Sequence, residues 1–470
     1  MAYSVEEMLQ WDKYPTFEVY DSLMRGFALS YPTLCRLDTI GFSEQGRLIL
    51  SLIIKGDTIE KQYKPKFFYT STIHGNELTG YIMLLRLTQY LLYSYQNQDE
   101  RIKSLIDNVD IYINPLANPD GTYFGGNNSV FESKRYNSNY VDLNRNFPDI
   151  VLGDHPDNET YYQNETLAFM LYSQENKFSL SANLHTGAEV LNYPYDCYNS
   201  IEKTHADRDW FIDICNVFMD SMPDNVPSNF FKDVSSLGYI NGGNWYKVYG
   251  GRQDYTTYFN NTREITFELS NSYILPTNQL NNYWNYLGNS LISYIEQCKK
   301  GLEGFVRDSL TGEGLKAKVF IENHDSFHSE VYSLEEGGYY YRPILQGTYS
   351  ITYSLEGYLP KTITNLEIYP HQMKRQDVFL VKDENSIKDF KDNNNDSFYL
   401  YPNPAKGYVV LDIEKGEKYI GKEYRILNSL SMEVKKGRIV GRKTYIDISE
   451  FKSGVYIFSI NNSSIKFIKQ

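Results

Sequence analysis

The sequence predicts an α/β domain followed by two small all-β domains. Residues 1 to about 300 alternate short apolar, strand-like runs with segments whose apolar residues recur at helical spacing, which is typical of α/β domains. From Gly301 the helical spacing stops, and short alternating strands follow, separated by glycines. A polar, asparagine-rich stretch then precedes a last unit of strand-like segments.

These changes of pattern set the predicted domain boundaries. A chain of 470 residues is too long for one hydrophobic core. We expect the α/β domain at 1–300, a β-sandwich at 301–381, a linker at 382–397 and a second β-sandwich at 398–470.

The elements of the first domain follow from periodicity and turn signals. Residues 3–27 are predicted to be helical, with a break at 14–16 where a proline interrupts the pattern. The other predicted elements are strands at 48–54, 67–73, 110–116 and 178–184, and helices at 78–93 and 280–299. In the β domains, strands are predicted at 315–322, 349–353 and 454–460.

Composition excludes several classes of protein. No apolar run reaches the length of about eighteen residues that spans a membrane. The net charge of −13 argues against general nucleic-acid binding and is typical of an acidic exported protein. The four cysteines form no Cys-x-x-Cys pair, so they indicate neither a disulfide framework nor a thiolate metal site, and their pairing stays open. No signal peptide is visible at the first residues, as in a mature exported chain.

The segment 71–77, with the sequence STIHGNE, stands between a predicted strand and a predicted helix. His74 and Glu77 are three residues apart, so an imidazole and a carboxylate lie on one side of a helical turn. A catalytic zinc of the His₂Glu type needs one further histidine and a water molecule. The spacing alone is common, and a structural role for both residues stays open.

His185 is a candidate for the missing ligand because it directly follows the predicted strand 178–184. Open α/β sheets bind ligands at the carboxyl ends of their strands. A buried histidine with a purely structural role is the alternative. The other histidines lack such contexts and are interpreted as surface or structural residues: His155, His205, His324, His328 and His371.

Three further side chains indicate chemistry on a carboxylate or a water molecule. Arg145 offers a planar fork suited to a carboxylate, and Asn144 beside it offers a second donor. Their alternative is a salt-bridged loop. Glu268 lies among apolar residues of a predicted strand, which favours general-base work or, as the alternative, pairing with a buried arginine.

Taken in this order, the motifs resemble those of zinc metallocarboxypeptidases of the funnelin type. They are most similar to the branch that contains carboxypeptidases N, E, D and M, over residues 10–380 approximately. The resemblance implies a mixed central sheet flanked by helices, one Zn²⁺ per chain and a transthyretin-like β-sandwich after Gly301. By resemblance, His74, Glu77 and His185 bind zinc, Glu268 is the general base and Arg135 polarises the scissile carbonyl.

The resemblance also assigns residues to the substrate. Asn144 and Arg145 match the pair that binds the terminal carboxylate, and Tyr246 matches the tyrosine that closes over the substrate. Asp196 matches the pocket acid that selects a terminal Lys or Arg. A carboxylate without a cationic partner would reject an apolar side chain. A turn aspartate is the alternative.

At two positions the residue differs from the one common in the family that the sequence resembles. Arg252 stands where relatives often have Met, and a cation there is expected to oppose a basic substrate. Thr186 replaces a common Gly after His185.

The last segment resembles the C-terminal sorting domain of the type IX secretion system of Bacteroidetes. Its marks are the YPNP motif at 401–404 and the strand that begins at Gly454. A plain β-sandwich binding module is the alternative. The resemblance implies a secreted or cell-surface location and the secretion machinery as a partner.

The predicted function is therefore zinc-dependent removal of the last residue from peptide or protein C-termini, with a preference for Lys or Arg, by a monomer. Two alternatives stay open. One is a carboxypeptidase for cell-wall peptides that end in diaminopimelate, whose amine an acidic pocket would also accept. The other is a non-catalytic surface binding protein.

Overall fold

The computed structural model describes residues 1–56, 63–156, 160–383, 397–415, 419–428, 432–460 and 463–469. The chain forms two compact units, Met1–Glu384 and Asn385–Gln470. The predicted linker at 382–397 falls mostly on 384–396, which lie outside the described residues.

A central sheet organises the first unit. Within the described residues it has eight strands in the order β1-β2-β4-β3-β5-β8-β6-β7. The strands are β1 (Cys35–Phe42), β2 (Leu48–Ile54), β3 (Lys66–Ser71), β4 (Asp110–Asn114), β5 (Leu180–His185), β6 (Ala188–Tyr193), β7 (Tyr239–Asn241) and β8 (Arg263–Ser270).

The sheet is mixed, as the resemblance implied. Strands β4, β3, β5 and β8 run parallel, and β1 and β2 pair antiparallel to their neighbours. Strand β6 is antiparallel to β8 and parallel to β7. The carboxyl ends of the parallel strands therefore meet at one edge. In this register His185 at the end of β5 lies opposite Glu268 of β8.

Helices cover both faces of the sheet. Alternate residues of β3 point to opposite faces: Phe67 and Tyr69 join one core cluster, and Phe68 joins the other. The helices are α1 (Val5–Met8), α2 (Phe17–Ser30), α3 (Thr79–Gln96), α4 (Glu100–Asn108), α5 (Pro119–Thr122), α6 (Asn164–Asn176), α7 (Arg208–Asp220), α8 (Gly242–Trp245), α9 (Arg252–Phe259) and α10 (Leu280–Ile295). No helix in the described ranges has both the length and the hydrophobicity needed to cross a bilayer.

Most predicted elements of this unit agree with the observed ones within a few residues. The break in the N-terminal helical region lies where expected, because the Thr16 hydroxyl accepts a hydrogen bond from the Val19 amide (3.3 Å) and caps α2. The predicted helix 280–299 is α10 followed by a 3₁₀ turn over Glu296–Lys299.

Residues 301–380 form two further sheets, which we call the β-rich segment. Among the described residues, one sheet has the order β11-β10-β13-β14, and the other has the order β12-β9-β15 with β16 also paired to β9. The strands are β9 (Gly301–Asp308), β10 (Lys318–Ile321), β11 (Val331–Tyr332), β12 (Tyr339–Arg342), β13 (Gly347–Ser354), β14 (Lys361–Ile368), β15 (Met373–Arg375) and β16 (Val378–Leu380). The segment has its own apolar core, but it belongs to the same compact unit as the central sheet, so a separate domain at 301–381 stays a prediction.

A buried network of charges joins the β-rich segment to the central sheet. Asp207 accepts hydrogen bonds from Arg263 of β8 (2.9 Å from Nε) and from both terminal nitrogens of Arg342 of β12 (2.9 Å each). Arg342 also donates to Asp325, and all four residues are buried. The two guanidinium groups hold the pKa of Asp207 well below its usual range despite its burial.

Two histidines that were interpreted as surface or structural residues border this network. The His205 ring nitrogen Nδ1 accepts a hydrogen bond from the Asp207 amide (2.9 Å), and His324 Nδ1 lies 3.0 Å from Asp325. Asp207, His324 and Asp325 are near enough to one another to hold a cation. Arg342 already binds both carboxylates, so the cluster is a charge-balanced structural network.

The second unit contains seven strands within its described residues. They form two sheets, with the orders β17-β18-β21 and β20-β19-β22-β23. The strands are β17 (Ser397–Tyr401), β18 (Tyr408–Lys415), β19 (Glu423–Asn428), β20 (Glu433–Arg438), β21 (Lys443–Asp447), β22 (Gly454–Ile460) and β23 (Ser463–Lys469). One apolar cluster, including Val409, Ile426 and Phe458, packs between the sheets.

The four cysteines are buried and free. Each lies in the first unit, at Cys35, Cys197, Cys215 and Cys298. Burial raises the pKa of the Cys35 thiol to about 12 and raises the pKa of the other three thiols further. The thiols are therefore protonated and unreactive at neutral pH.

Replacing Arg342 with Met tests the buried network. The change leaves the Asp207 and Asp325 carboxylates buried with too few donors, so we expect the free energy of unfolding of the first unit to fall by about 3–5 kcal/mol. Urea denaturation followed by tryptophan fluorescence measures the change. Arg375→Met is the control, because Arg375 pairs with Asp377 but its side chain is 63% exposed, and exposed pairs contribute about 0–1 kcal/mol. Equal losses in the two variants would contradict the prediction.

Candidate metal centre and active site

A tight turn after β3 carries the first two candidate ligands. Thr72 has a left-handed backbone (φ 59°), which is uncommon for a β-branched residue. Its hydroxyl donates to the Ser71 carbonyl (2.6 Å) and accepts from the Ala117 amide (3.1 Å). These bonds hold the turn that redirects the chain from the sheet edge towards α3, with His74 and Glu77 between them.

Two glycines allow the next loop to support this turn. A Cβ on Gly75 would lie 2.3 Å from the carbonyl carbon of Gly121, so the two backbones touch and a side chain is excluded. The Thr122 hydroxyl donates to the Gly75 carbonyl (2.8 Å), and the Gly75 amide donates to the Arg135 carbonyl (3.1 Å). The turn is therefore fixed by backbone contacts on both sides.

The three predicted zinc ligands lie together. His74 Nδ1 is 2.8 Å from Glu77 Oε1, His185 Nδ1 is 2.8 Å from Glu77 Oε2, and the two Nδ1 atoms are 3.1 Å apart. All three residues are at most 3% exposed. Ligand atoms around a tetrahedral zinc with bonds of about 2.0–2.1 Å are separated by roughly 3.3 Å. The donor set and its spacing therefore fit a zinc ion.

The charge on Glu77 is consistent with this arrangement. Burial alone would raise the pKa of Glu77, but the imidazoles of His74 and His185 outweigh it and hold the pKa below the usual value. The carboxylate is therefore ionised, as a metal ligand must be.

Asp142 fixes the orientation of the first ligand. His74 Nε2 lies 3.0 Å from Asp142 Oδ1, so the imidazole donates its Nε2 proton there and presents the Nδ1 lone pair to the metal site. Asp142 also accepts from the Asn144 amide (3.0 Å). Asp142 was not predicted from the sequence, although it lies in the same motif as Asn144 and Arg145. Its position beside two predicted substrate residues was the available signal.

Arg135 reaches the edge of the metal site from the loop after α5. Its Nε donates to Asp142 Oδ2 (3.0 Å), and its Nη1 donates to Glu77 Oε1 (3.2 Å). The side chain is 33% exposed. A guanidinium has five N–H groups, so further donors remain to face the cavity.

Glu268 of β8 lies opposite His185 in the sheet and near enough to Glu77 for that charge to act on it. The residue is 8% exposed, and its Oε2 atom has no hydrogen-bond partner among the described residues. Burial, followed by the neighbouring Glu77 carboxylate, raises the pKa of Glu268 well above its usual value. Within the described residues no arginine forms an ion pair with Glu268, although the charge of Arg135 acts on it from a distance and opposes this rise in pKa. An unpartnered buried carboxylate beside a metal site needs a chemical reason.

Asn144 and Arg145 lie in a 3₁₀ turn over Leu143–Arg145. The Asn144 side-chain oxygen accepts from the Arg252 amide (2.9 Å), which leaves its amide nitrogen for other acceptors. Arg145 Nη1 donates to the Asn144 carbonyl (2.8 Å). The turn packs closely against Gly250, because a Cβ there would lie 2.7 Å from the Arg145 carbonyl oxygen.

Asp196 lies in a buried, acidic pocket just after β6. It is 4% exposed, and its Oδ1 accepts from Gln253 Nε2 (2.9 Å). Its amide donates to Asp254 Oδ1 (2.9 Å). Burial, followed by the Asp254 charge, raises the pKa of Asp196 well above its usual range. Gly242 leaves room for the carboxylate, since a Cβ there would lie 1.9 Å from Asp196 Oδ1. Gln253 and Asp254 were not predicted from the sequence.

The position of Arg252 differs from the one expected from the sequence. Its guanidinium is 1% exposed, donates to Glu264 Oε2 (3.1 Å) and to Thr70, and lies 5.3 Å from the ring centroids of both Phe68 and Phe169. The expected opposition to a basic substrate is therefore wrong, because the charge is neutralised by Glu264 within the core.

Two further positions border the cavity. Tyr246 is 48% exposed, and burial together with the charges of Glu268 and Asp196 raises its pKa to about 12. Its hydroxyl is therefore a neutral donor at physiological pH. Thr186 donates its amide proton to Glu77 Oε2 (3.1 Å) and its hydroxyl proton to the Tyr273 carbonyl (3.4 Å). The Thr186 side chain, which a glycine at this position would lack, is therefore held by a local hydrogen bond.

Comparison with known proteins agrees with this site. The zinc carboxypeptidase family matches residues 20–288, and a secretion system C-terminal sorting domain matches residues 399–470. The fold is similar to that of thrombin activatable fibrinolysis inhibitor, with a TM-score of 0.52, 17% identity, and 61% of this chain and 75% of that chain covered. At this identity the likeness concerns the fold alone.

Two relatives are similar over most of their length. Carboxypeptidase M of Mus musculus is 34% identical over 385 residues, which cover 78% of this chain and 84% of that protein. The carboxypeptidase N catalytic chain of Rattus norvegicus is 34% identical over 383 residues, which cover 73% of this chain and 82% of that protein. With a matching family profile, a matching fold and a donor set that fits zinc, the chain belongs to the zinc carboxypeptidase family.

Proposed function

We propose that this zinc metallocarboxypeptidase removes a C-terminal Lys or Arg from peptides and proteins, using the nine residues predicted from the sequence. The observation that carries the proposal is the convergence of an unpartnered carboxylate, Glu268, with the metal donor set at one edge of the sheet. His74, Glu77 and His185 would hold the zinc ion. When bound, the ion supplies Lewis-acid chemistry to a water molecule and to the scissile carbonyl.

The residues of the chain divide the remaining work. Arg145 and the Asn144 side-chain amide bind the terminal carboxylate of the substrate, which sets the last peptide bond against the metal site. Glu268 accepts a proton from the attacking water and passes it to the leaving amine. Arg135 donates hydrogen bonds to the oxygen that becomes negative in the transition state, where such donors typically contribute about 10²–10³-fold in rate. Tyr246 closes over the bound substrate.

The preference for a basic terminal residue rests on Asp196. This carboxyl group is buried, the Asp254 charge acts on it more strongly than the Arg145 charge, and the cation of Arg252 is neutralised by Glu264. A terminal Lys or Arg side chain would supply the missing positive charge, whereas an apolar side chain would leave the carboxylates without a cation. Diaminopimelate also carries an amine on its side chain. Peptides that end in diaminopimelate are therefore the alternative substrates to compare with peptides that end in Lys or Arg.

The C-terminal sorting domain supports export by a secretion system. We propose that the type IX machinery recognises this domain and that the enzyme acts as a monomer in the medium or at the cell surface. In this proposal the predicted domains have separate roles. Residues 1–300 carry catalysis, 301–381 form a transthyretin-like domain, 382–397 form a linker and 398–470 direct export.

Removal of the metal is expected to abolish activity reversibly. Treating the protein with a chelator should reduce hydrolysis of an Arg-terminated peptide to background, because the ligands at His74, Glu77 and His185 would have no ion to hold. Adding one equivalent of Zn²⁺ should restore the rate, with one zinc per chain by elemental analysis. Full activity of the metal-free protein would contradict the assignment.

Replacing Glu268 with Gln is expected to remove the proton acceptor while the metal site remains. We expect kcat to fall by about 10²–10⁴-fold with zinc content unchanged. Glu296→Gln is the control, because this glutamate pairs with Arg101 on the surface. Retained turnover in Glu268→Gln would exclude the general-base role, and loss of zinc would instead indicate a structural role.

Replacing Asp196 with Asn is expected to remove the basic preference. The ratio of kcat/KM for an Arg-terminated over a Phe-terminated peptide should fall by about two orders of magnitude, because the buried charge that pairs with the substrate is lost. A panel of Arg-, Lys-, Phe- and diaminopimelate-terminated peptides measures this. Asp209→Asn, on the exposed side of α7, is the control. An unchanged ratio would exclude Asp196 as the selecting residue.

A further inference from the structure

A loop of the β-rich segment inserts an aromatic ring next to the acidic pocket. The Phe327 ring centroid lies 4.8 Å from that of Tyr258, 5.9 Å from that of Tyr195 and 6.1 Å from that of Tyr198. The Lys203 ammonium lies 4.1 Å from the Phe327 ring centroid, within range of a cation–π interaction. Phe327 is therefore surrounded by side chains of residues 1–300, which carry the metal donor set and are called the catalytic part.

The backbone at this loop is strained. Phe327 (φ 52°) and the following His328 (φ 65°) are both left-handed, although neither is glycine. Such conformations persist only where the surrounding structure determines them, and they occur often at functional sites. The two consecutive left-handed residues, Phe327 and His328, direct the Phe327 side chain into the cluster of tyrosine rings formed by Tyr195, Tyr198 and Tyr258.

Hydrogen bonds to the catalytic part hold the loop on one side. The His328 carbonyl accepts from Asn261 Nδ2 (2.8 Å), and the Ser329 carbonyl accepts from Arg263. Inside the loop, Asp325 accepts from the Ser329 hydroxyl (3.2 Å) and is itself bound by Arg342. The position of Phe327 is thus fixed by the buried charge network.

One of the residues that Phe327 contacts, Tyr195, immediately precedes Asp196 in the chain. Tyr195 is 1% exposed, and its carbonyl accepts from the Gly243 amide (2.9 Å). The next residue, Asp196, is held by Asp254 through its amide and by Gln253 through its carboxylate. Tyr195 therefore links Phe327, through a ring contact, to Asp196, through the adjoining peptide bond.

We propose that Phe327 is a positioning residue for the terminal side-chain pocket, so that the β-rich segment sets the specificity of the enzyme. The inference rests on the proposed role of Asp196. Pairing between Asp196 and a basic side chain depends on sub-ångström placement, and displacements of about 1 Å reduce the efficiency of such sites by up to about 10²-fold. The β-rich segment is then more than a structural support.

The test compares Phe327→Ala with Phe305→Ala in the full-length zinc enzyme. Phe305 is the matched control because it is, like Phe327, partly buried in the β-rich segment and lies against tyrosine rings and cations, here two of each. In Phe327→Ala the Arg-to-Phe ratio of kcat/KM should fall by about tenfold, mainly through a higher KM for the Arg-terminated peptide. Phe305→Ala should leave the ratio within about twofold.

A conservative variant and a double variant separate positioning from general damage. Phe327→Tyr should restore the ratio, because it returns a ring to the cluster. Combined with Asp196→Asn, Phe327→Ala should cause no additional fall in the ratio, because the residue that it positions is already neutral. If Phe327→Ala does not fold, Phe327→Leu takes its place with the same expectations.

Two results would overturn the inference. One is a ratio in Phe327→Ala equal to that in Phe305→Ala while Asp196→Asn lowers it. The other is a further fall when Phe327→Ala is added to Asp196→Asn. An unchanged ratio in Asp196→Asn alone is a separate result, which refutes the proposed role of Asp196 and the positioning role with it.

Discussion

The close approach of two imidazole nitrogens and one carboxylate is the constraint on which the rest of the site depends. The three groups lie within 2.8–3.1 Å of one another in a cavity that solvent barely reaches. A cation bound among them would satisfy the two imidazole lone pairs and the carboxylate together. The buried Glu268 lies nearby. The strained turn at Thr72 and the contact between Gly75 and Gly121 are the backbone features that keep the ligands together.

The proposed preference for a basic terminal residue depends on how charged side chains are distributed around the site. In the proposed function, Arg135 and Arg145 act on the oxygen atoms of the substrate. Asp196 lies beside the acidic Asp254, whose charge acts on it more strongly than that of Arg145, and the cation of Arg252 on the neighbouring helix is turned into the core against Glu264. A substrate that carries a carboxylate at its end and a cation on its last side chain complements this distribution.

Much of the site could be predicted from the sequence, because its residues lie where secondary structure changes. His74 and Glu77 follow a strand and precede a helix, and His185 ends a strand, so the sheet itself brings them to one edge. The partners of these residues were harder to predict. The direction of Arg252 depends on where β8 places Glu264 across the sheet, and local sequence contains no sign of that.

The same limit applies to contacts between distant segments. The bond between His74 and Asp142 joins two loops, and the contact between Phe327 and Tyr195 joins the β-rich segment to the central sheet. Neither follows from periodicity or spacing, because both depend on tertiary packing. The fold class and most element bounds could be predicted, since alternation and helical spacing are local properties of the chain.

The four buried thiols have a consequence for how the native protein responds to a reducing agent. Small exported domains commonly rely on covalent cross-links, whereas this chain gains its stability from large apolar cores and a balanced ionic network. Its native state is therefore indifferent to ambient redox potential. Because no covalent bond between cysteines contributes to the fold, a reducing agent has no cross-link to break in the native protein.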